Sequence, residues 1–260
     1  MLSVRDLHVS YDGRPVLRGV SLEARAGEVV AVVGPNGCGK TTLVRAITRV
    51  VPWQRGDVLA GEVSVRDLGQ RELARLVSVV PQNPVLPLGY TVLDVVLMGR
   101  TPHLGFFEQE GPEDYRRAKA ALERARAGHL AERRVDELSG GERQAVVMAR
   151  ALAQEAPILL LDEPTANLDI GHQVAVASLV RRLAASGLAV LAAIHDLTLA
   201  SLYCDRIVLM REGRVLAEGE PDNVLTTEVI RSAYGTEVTV LRDGLPRPAV
   251  IPLEPAGAED

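Results

Sequence analysis

The residues with the clearest chemical capacity are Gly34-Pro35-Asn36-Gly37-Cys38-Gly39-Lys40-Thr41, two glycines five positions apart followed by a lysine and a hydroxyl. Glycines let successive backbone N–H groups turn inward around phosphate oxygens. A helix beginning at Lys40 would add the positive end of its dipole. The lysine ammonium then reaches β- and γ-phosphates, and the Thr41 hydroxyl can ligate Mg2+. Gly34, Asn36, Gly37, Cys38, Gly39, Lys40, Thr41 and Thr42 form the candidate nucleotide-binding set. Cys38 takes a position the pattern leaves free, with no second thiol nearby in sequence, so packing outranks redox chemistry there. Lys40 and Lys119 are the only lysines among 29 basic residues. A compact ammonium fits between phosphate oxygens where a planar guanidinium is bulkier.

A second group lies in Ile158-Leu159-Leu160-Leu161-Asp162-Glu163, an apolar strand ending in two carboxylates. Asp162 can hold Mg2+ directly or through water, and Glu163 can polarise a water for attack on the γ-phosphorus. Solvated acids at a strand end are common, and the phosphate loop is what favours the catalytic reading. His195 ends another apolar run, Leu188 to Ile194. It is either a structural histidine or an imidazole that contacts a γ-phosphate oxygen from the same sheet edge. Ser139-Gly140-Gly141-Glu142 reads as a capping box opening a helix, with glycine N–H groups left free to bind an anion. One nucleotide in one chain would leave this second anion site surplus.

These side chains need elements that bring them to one edge. Valine-rich runs at Val4–Val9, Val16–Ala24 and 28–33 predict strands. Leu43, Ala46, Ile47 and Val50 predict a helix from Lys40 to about Val50. Strands are expected near 61–65 and 76–80, with a helical turn between them. Residues 81–90 hold three prolines and a glycine, hence a loop. Helices follow at 91–98 and 113–127, with an irregular stretch at 99–112 between them. Helix 141–154, strand 158–162, helix 171–185 and strand 188–194 then alternate, which predicts a parallel sheet buried on both faces. In such a sheet the crevice lies at the carboxyl ends of the strands, so both acids should emerge beside the phosphate loop. Short strands around Glu212-Gly213 predict a hairpin.

Composition narrows the partners. The chain has 260 residues, a net charge of −5 and 24 % charged residues, which argues against a nucleic-acid binder held by a broad positive field. Two cysteines cannot build a disulfide framework. Arg5, Asp6, Arg14 and Arg18 interrupt any leader-like start, and no apolar run approaches the roughly 18–20 residues of a membrane span. The expectation is a cytosolic protein that reaches a membrane through a partner or its surface.

Taken together, these motifs resemble the nucleotide-binding subunit of ABC transporters over roughly residues 1–240. Leu138-Ser139-Gly140-Gly141-Glu142, followed by Arg143-Gln144, resembles the family's signature motif. Gln82 resembles the glutamine that senses Mg2+ and the membrane partner, and Tyr11 the aromatic residue stacked on adenine. Ala166-Asn167-Leu168-Asp169 resembles the D-loop, and His195 the switch histidine. The resemblance implies a mostly parallel α/β phosphate-loop NTPase core with an antiparallel N-terminal part. Residues 1–83 and 141–240 would form that core, 84–140 a helical subdomain, and 241–260 a tail. It implies ATP and Mg2+ as cofactors, with Thr41, Gln82 and Asp162 toward the metal and Glu163, His195 and Gln82 toward catalysis. It also implies a head-to-tail homodimer, or pairing with a closely related second subunit, in which Ser139, Gly140, Gly141 and Asp169 serve the partner's nucleotide. Membrane permease subunits would dock near 82–91 with Gln82, Leu88, Tyr90 and Thr91, on the cytoplasmic face of the membrane, with a substrate-binding protein engaged indirectly.

Thr91-Val92-Leu93-Asp94-Val95-Val96 and Gly99-Arg100-Thr101-Pro102-His103 are similar to the subgroup serving iron–siderophore, haem and vitamin B12 importers, as is the tail from Gly219 to Pro252. Gly99–His103 otherwise reads as a loop between helices. The alternatives are a soluble ABC ATPase of Fe–S cluster assembly, or an importer of another substrate. A chromosome or DNA-repair ATPase needs a long coiled coil, and Gln82 and Ser139 are only 57 residues apart. A ribosome-acting relative would carry two motif sets.

Overall fold

A computed structural model of the chain describes residues 1–166 and 168–253. Its centre is made of three strands buried at every position: β3 (Val29–Val33), β7 (Ile158–Asp162) and β8 (Ala189–Ala193). Such runs suit a sheet covered on both faces. Before β3 come β1 (Leu2–Tyr11) and β2 (Arg14–Ala24). Their connection, Asp12-Gly13, has φ of 48° and 78°, which gives the tight turn that matches strand twist. After β3 follow α1 (Lys40–Ile47), β4 (Arg55–Ala60), β5 (Val63–Ser64), α2 (Gln70–Leu76) and β6 (Val77–Val80). Next are α3 (Val92–Leu97), α4 (Pro112–Arg124) and α5 (Gly140–Ala153). Helix α6 (Ile170–Ala185) joins β7 to β8, and α7 (Leu197–Tyr203) leads into the hairpin β9 (Arg206–Arg211) and β10 (Arg214–Gly219). The chain continues through α8 (Pro221–Val224), α9 (Thr227–Tyr234), β11 (Val238–Leu241) and β12 (Ala249–Pro252).

The main sheet has the order β10-β9-β3-β8-β7-β6, parallel except for the β9–β10 hairpin. An antiparallel sheet, β2-β1-β4-β5, lies against it. Alternation along the strands divides the core. Val30, Val32, Ile158 and Leu160 pack with α1 and the antiparallel sheet, whereas Val29, Ala31, Leu159 and Leu161 pack with α5 and α6 and share their cluster with α3 and α4.

Several expectations shift. Helix α1 stops at Ile47, and Val50 is exposed, because Arg49 turns left-handed at φ 57° and the Val50 N–H bonds back to the Arg45 carbonyl. Strand β4 was not expected; it pairs with β1. Helices α7, α8 and α9 were likewise not expected. Met98–His103, of which 99–103 were expected to be irregular, forms a 3-10 helix that grips the end of α5. A Cβ on Gly99 would sit 2.3 Å from the Arg150 carbonyl oxygen. Arg100 is buried, pairing with Asp114 at 3.0 Å and donating to the Ala153 carbonyl at 2.8 Å. His103 bonds through its ring to the Gln154 carbonyl at 2.8 Å. Beyond Leu241 the chain returns as β12, whose Val250 N–H donates to the Thr198 hydroxyl at 3.1 Å. Asn167 of the D-loop stretch and residues 254–260 of the tail lie outside the described residues.

Candidate functional site

The loop after β3 is built by exclusion of side chains. Gly34 has φ 150°, and a Cβ there would sit 2.2 Å from the Met210 carbonyl oxygen and 2.8 Å from Cys38 Sγ. Only glycine lets the loop turn this close to β9. Cys38 is buried in the hydrophobic core beneath the loop, and burial pushes its thiol pKa up, which suits packing rather than reactivity. Lys40 begins α1 and is 6 % exposed. Its ammonium donates to the Gly34 carbonyl at 2.8 Å and the Pro35 carbonyl at 3.5 Å. Among the described residues no carboxylate pairs with it. Asn36, Gly37, Gly39, Lys40, Thr41 and Thr42 line a cavity of about 240 Å³ together with Val16 and Glu163. A buried cation satisfied only by carbonyls, at a helix N-terminus lining an open cavity, is a site prepared for an anion.

Four neighbouring parallel strands each deliver a group to this edge: β3 the loop, β8 His195, β7 the two acids and β6 Gln82. Strand β8 lies between β3 and β7, so the acids reach the loop by way of α1 rather than from an adjacent strand. The Thr41 hydroxyl donates to Asp162 Oδ1 at 3.1 Å. Asp162 is 5 % exposed, and burial raises its carboxyl pKa, with the Thr41 bond opposing and the Glu163 charge adding to the rise. Glu163 sits at a left-handed φ of 50°, fixed by its N–H bond to the Ala193 carbonyl at 3.0 Å. That turn separates the two carboxylates: Asp162 faces Thr41, and Glu163 accepts from the Gln82 amide at 2.6 Å. His195 is exposed two residues beyond β8.

A hydroxyl bonded to a desolvated carboxylate fits a small hard cation that takes most of its ligands from water and phosphate. Among the described residues there is no cluster of three or more His, Cys, Asp or Glu side chains of the kind that holds a metal by itself. The donor set therefore suits Mg2+ bound together with a nucleotide.

The remaining candidates stand elsewhere. Tyr11 is 39 % exposed at the β1–β2 hairpin; Val16 of β2, and not Tyr11, lines the cavity. Sequence gave no signal for Val16. Ser139 caps α5, with its hydroxyl and the Glu142 carboxylate bonded to each other's backbone N–H. Asp169 caps α6 and accepts from the His172 ring at 2.8 Å. His172 was missed, although its three-residue spacing from a helix-capping aspartate is a legible signal. Gly141 and His172 line a separate groove of about 300 Å³ between α5 and α6. None of Ser139, Gly140, Gly141 and Asp169 lines the phosphate cavity.

The sequence profile of the ABC transporter family matches residues 17–166. The chain belongs to the ABC transporter family. It is an ATP-binding, ATP-hydrolysing cassette of that family. It is 45 % identical over 263 residues to the hemin import ATP-binding protein HmuV of Gloeobacter violaceus, covering 97 % of this chain and 94 % of that one. It is 44 % identical to the cobalamin import ATP-binding protein BtuD of Halobacterium salinarum, over 93 % of this chain and 61 % of the other. Its fold superposes on a metal-chelate type ABC transporter in an inward-facing conformation, with a TM-score of 0.86, 30 % identity and 97 % of both chains covered. These relatives favour import over Fe–S cluster assembly. Among the described residues no helix is long and apolar enough to cross a membrane.

Proposed function

We propose that this ABC cassette drives import of a metal chelate (iron–siderophore, haem or cobalamin), working as a pair of identical copies beneath polytopic membrane subunits. The observation that carries the nucleotide chemistry is the buried Lys40 ammonium, satisfied only by carbonyls and lining the cavity with Thr41 and Glu163. The cargo class is supported by the hemin and cobalamin import names of the relatives and the metal-chelate type of the structural neighbour.

In this reading the loop N–H groups and Lys40 bind the β- and γ-phosphates, and Tyr11 stacks on adenine. Thr41 and Asp162 hold Mg2+, with Gln82 close by. When bound, that ion neutralises charge on the phosphates. Glu163 polarises the attacking water, and its bond to Gln82 holds the carboxylate near the cavity until nucleotide arrives. His195 contacts the γ-phosphate. Ser139, Gly140, Gly141 and Asp169 complete the site of the second copy, which accounts for their separation from the cavity. The helical segment 84–140 moves as a subdomain. Val85, Leu88 and Tyr90, exposed beside Gln82, offer apolar groups to a cytoplasmic loop of the membrane subunit. The protein would then sit peripherally on the cytoplasmic face, and the cargo would never touch it.

The test is uptake into vesicles containing the membrane subunits and this chain, with haem, a ferric siderophore and cobalamin as cargoes. ATP-dependent uptake of one of them, lost in Glu163→Gln, is expected. Absence of ATP-dependent uptake for all three would overturn the cargo assignment.

A further inference from the structure

The two signature glycines are not equivalent. A Cβ built on Gly140 meets nothing within 4 Å. A Cβ built on Gly141 would sit 2.3 Å from both Cδ2 and Nε2 of His172, and 2.9 Å from its Cγ. The His172 ring thus occupies the space a side chain at 141 would need, edge-on to the first turn of α5.

That ring is itself held. Asp169 Oδ1 accepts the His172 backbone N–H at 2.9 Å, and Asp169 Oδ2 pairs with Nδ1 at 2.8 Å. The same bonds hold the Asp169 carboxyl below the usual carboxylate range, backbone bond first and ring bond second. An ionised carboxylate accepts only, so Nδ1 carries the proton and the Cδ2–Nε2 edge is left toward Gly141. Three groups therefore stand in series: the Asp169 carboxylate, the His172 ring and the start of α5. They join β7's outgoing loop to a helix whose other end is gripped by Arg100 and His103.

We propose that His172 is a positioning residue, which sets the phosphate-binding end of the signature helix against the Asp169 loop so that the two are presented to a second copy as one surface. The inference rests on the reading that this surface completes the partner's nucleotide site. Gly141 then leaves the space that the His172 ring takes when it is bonded to Asp169, and a side chain there would displace the ring. The open space at Gly140 is left for what approaches from outside.

The test is steady-state ATP hydrolysis by the full chain, with nucleotide affinity measured separately. His172→Ala is expected to lower kcat about tenfold while ATP affinity stays within about twofold, because the cradle is untouched. Gly141→Ala is expected to lower kcat further, and Gly141→Ala combined with His172→Ala to recover at least severalfold over Gly141→Ala alone, since the new methyl then fills the vacated ring space. His172→Ala with wild-type kcat, or a double variant no better than Gly141→Ala, would overturn the proposal. Ser139→Arg run beside them separates the two levels. An ATP-dependent dimer lost in Ser139→Arg together with unaffected kcat in His172→Ala defeats this inference alone. A normal ATP-dependent dimer in Ser139→Arg defeats the underlying reading and this inference with it.

Discussion

The start of α1 and the start of α5 are both helix N-termini that carry glycine, as N-cap at Gly39 and as first helical residue at Gly140, yet they are finished to different degrees. At α1 the ammonium is buried, its carbonyl partners are in place, and the glycine at 34 is pressed against β9. At α5 the capping box is closed, but Ser139 and Gly140 are exposed and nothing lies near the Gly140 Cβ position. The first is an anion site complete within one chain. The second is ordered and solvated, and in the proposed function it is completed by another surface. Burial at the first strengthens electrostatics by lowering the local dielectric. In the proposed pairing, exposure at the second would keep the two copies separable when nucleotide leaves.

The comparison predicts where damage is severe and where it is conditional. Lys40→Ala should weaken ATP binding by two decades or more, because it removes the buried cation of the complete site; unchanged affinity in a titration would break the contrast at its strong end. Glu163→Gln should keep ATP affinity but slow hydrolysis by about 10²–10⁴-fold, and should accumulate as an ATP-bound dimer by light scattering. Turnover within a few-fold of wild type would remove Glu163 as the water-polarising group. Ser139→Arg should cost about 1 kcal/mol of capping, leave the monomer's own ATP binding intact, and abolish the dimer formed with ATP. A normal dimer would mean that α5 does not meet the second nucleotide.

The smallest expected effect is on stability, at Asp162. Burial raises its folded carboxyl pKa above the ordinary 3.8, so the folded state binds the proton more tightly than the unfolded chain. Stability is then lost as pH rises through the interval from the unfolded to the folded value. Asp162→Asn should flatten that loss and raise the melting temperature of the nucleotide-free protein at pH 7 by ~1–3 °C, while abolishing Mg2+-dependent turnover. A lower melting temperature would mean that the Thr41 bond outweighs desolvation.

Local chemistry was legible in the sequence where it is written in consecutive residues. The cradle, the carboxylate pair at the end of β7 and the capping box at Ser139 each occupy one short run with a physical reason for every type. Continuous apolar strands gave the parallel sheet, because burial on both faces leaves no polar alternation. What was not legible depends on distant pairing. Nothing in Leu188–Ile194 says that it lies between β3 and β7. Strand β4 begins Arg55-Gly56-Asp57 and reads as a turn, yet it pairs with β1. Val50 continued an apolar pattern past the end of its helix, and only the left-handed Arg49 reveals the stop. Gly99–His103 looked like a loop because its ion pairs reach Asp114 and Glu155, far along the chain. The pairing of Gly141 with His172 was hidden for the same reason.

The central claim is that one complete and one incomplete anion site, on two copies, make a working nucleotide site. Mixing Lys40→Ala chains with Ser139→Arg chains tests it most directly. Each variant alone lacks one half of both sites, but a mixed pair holds one intact composite site. Random pairing of equal amounts should recover about a quarter of wild-type ATP hydrolysis. Hydrolysis by the mixture no faster than that of its separate components would contradict the account.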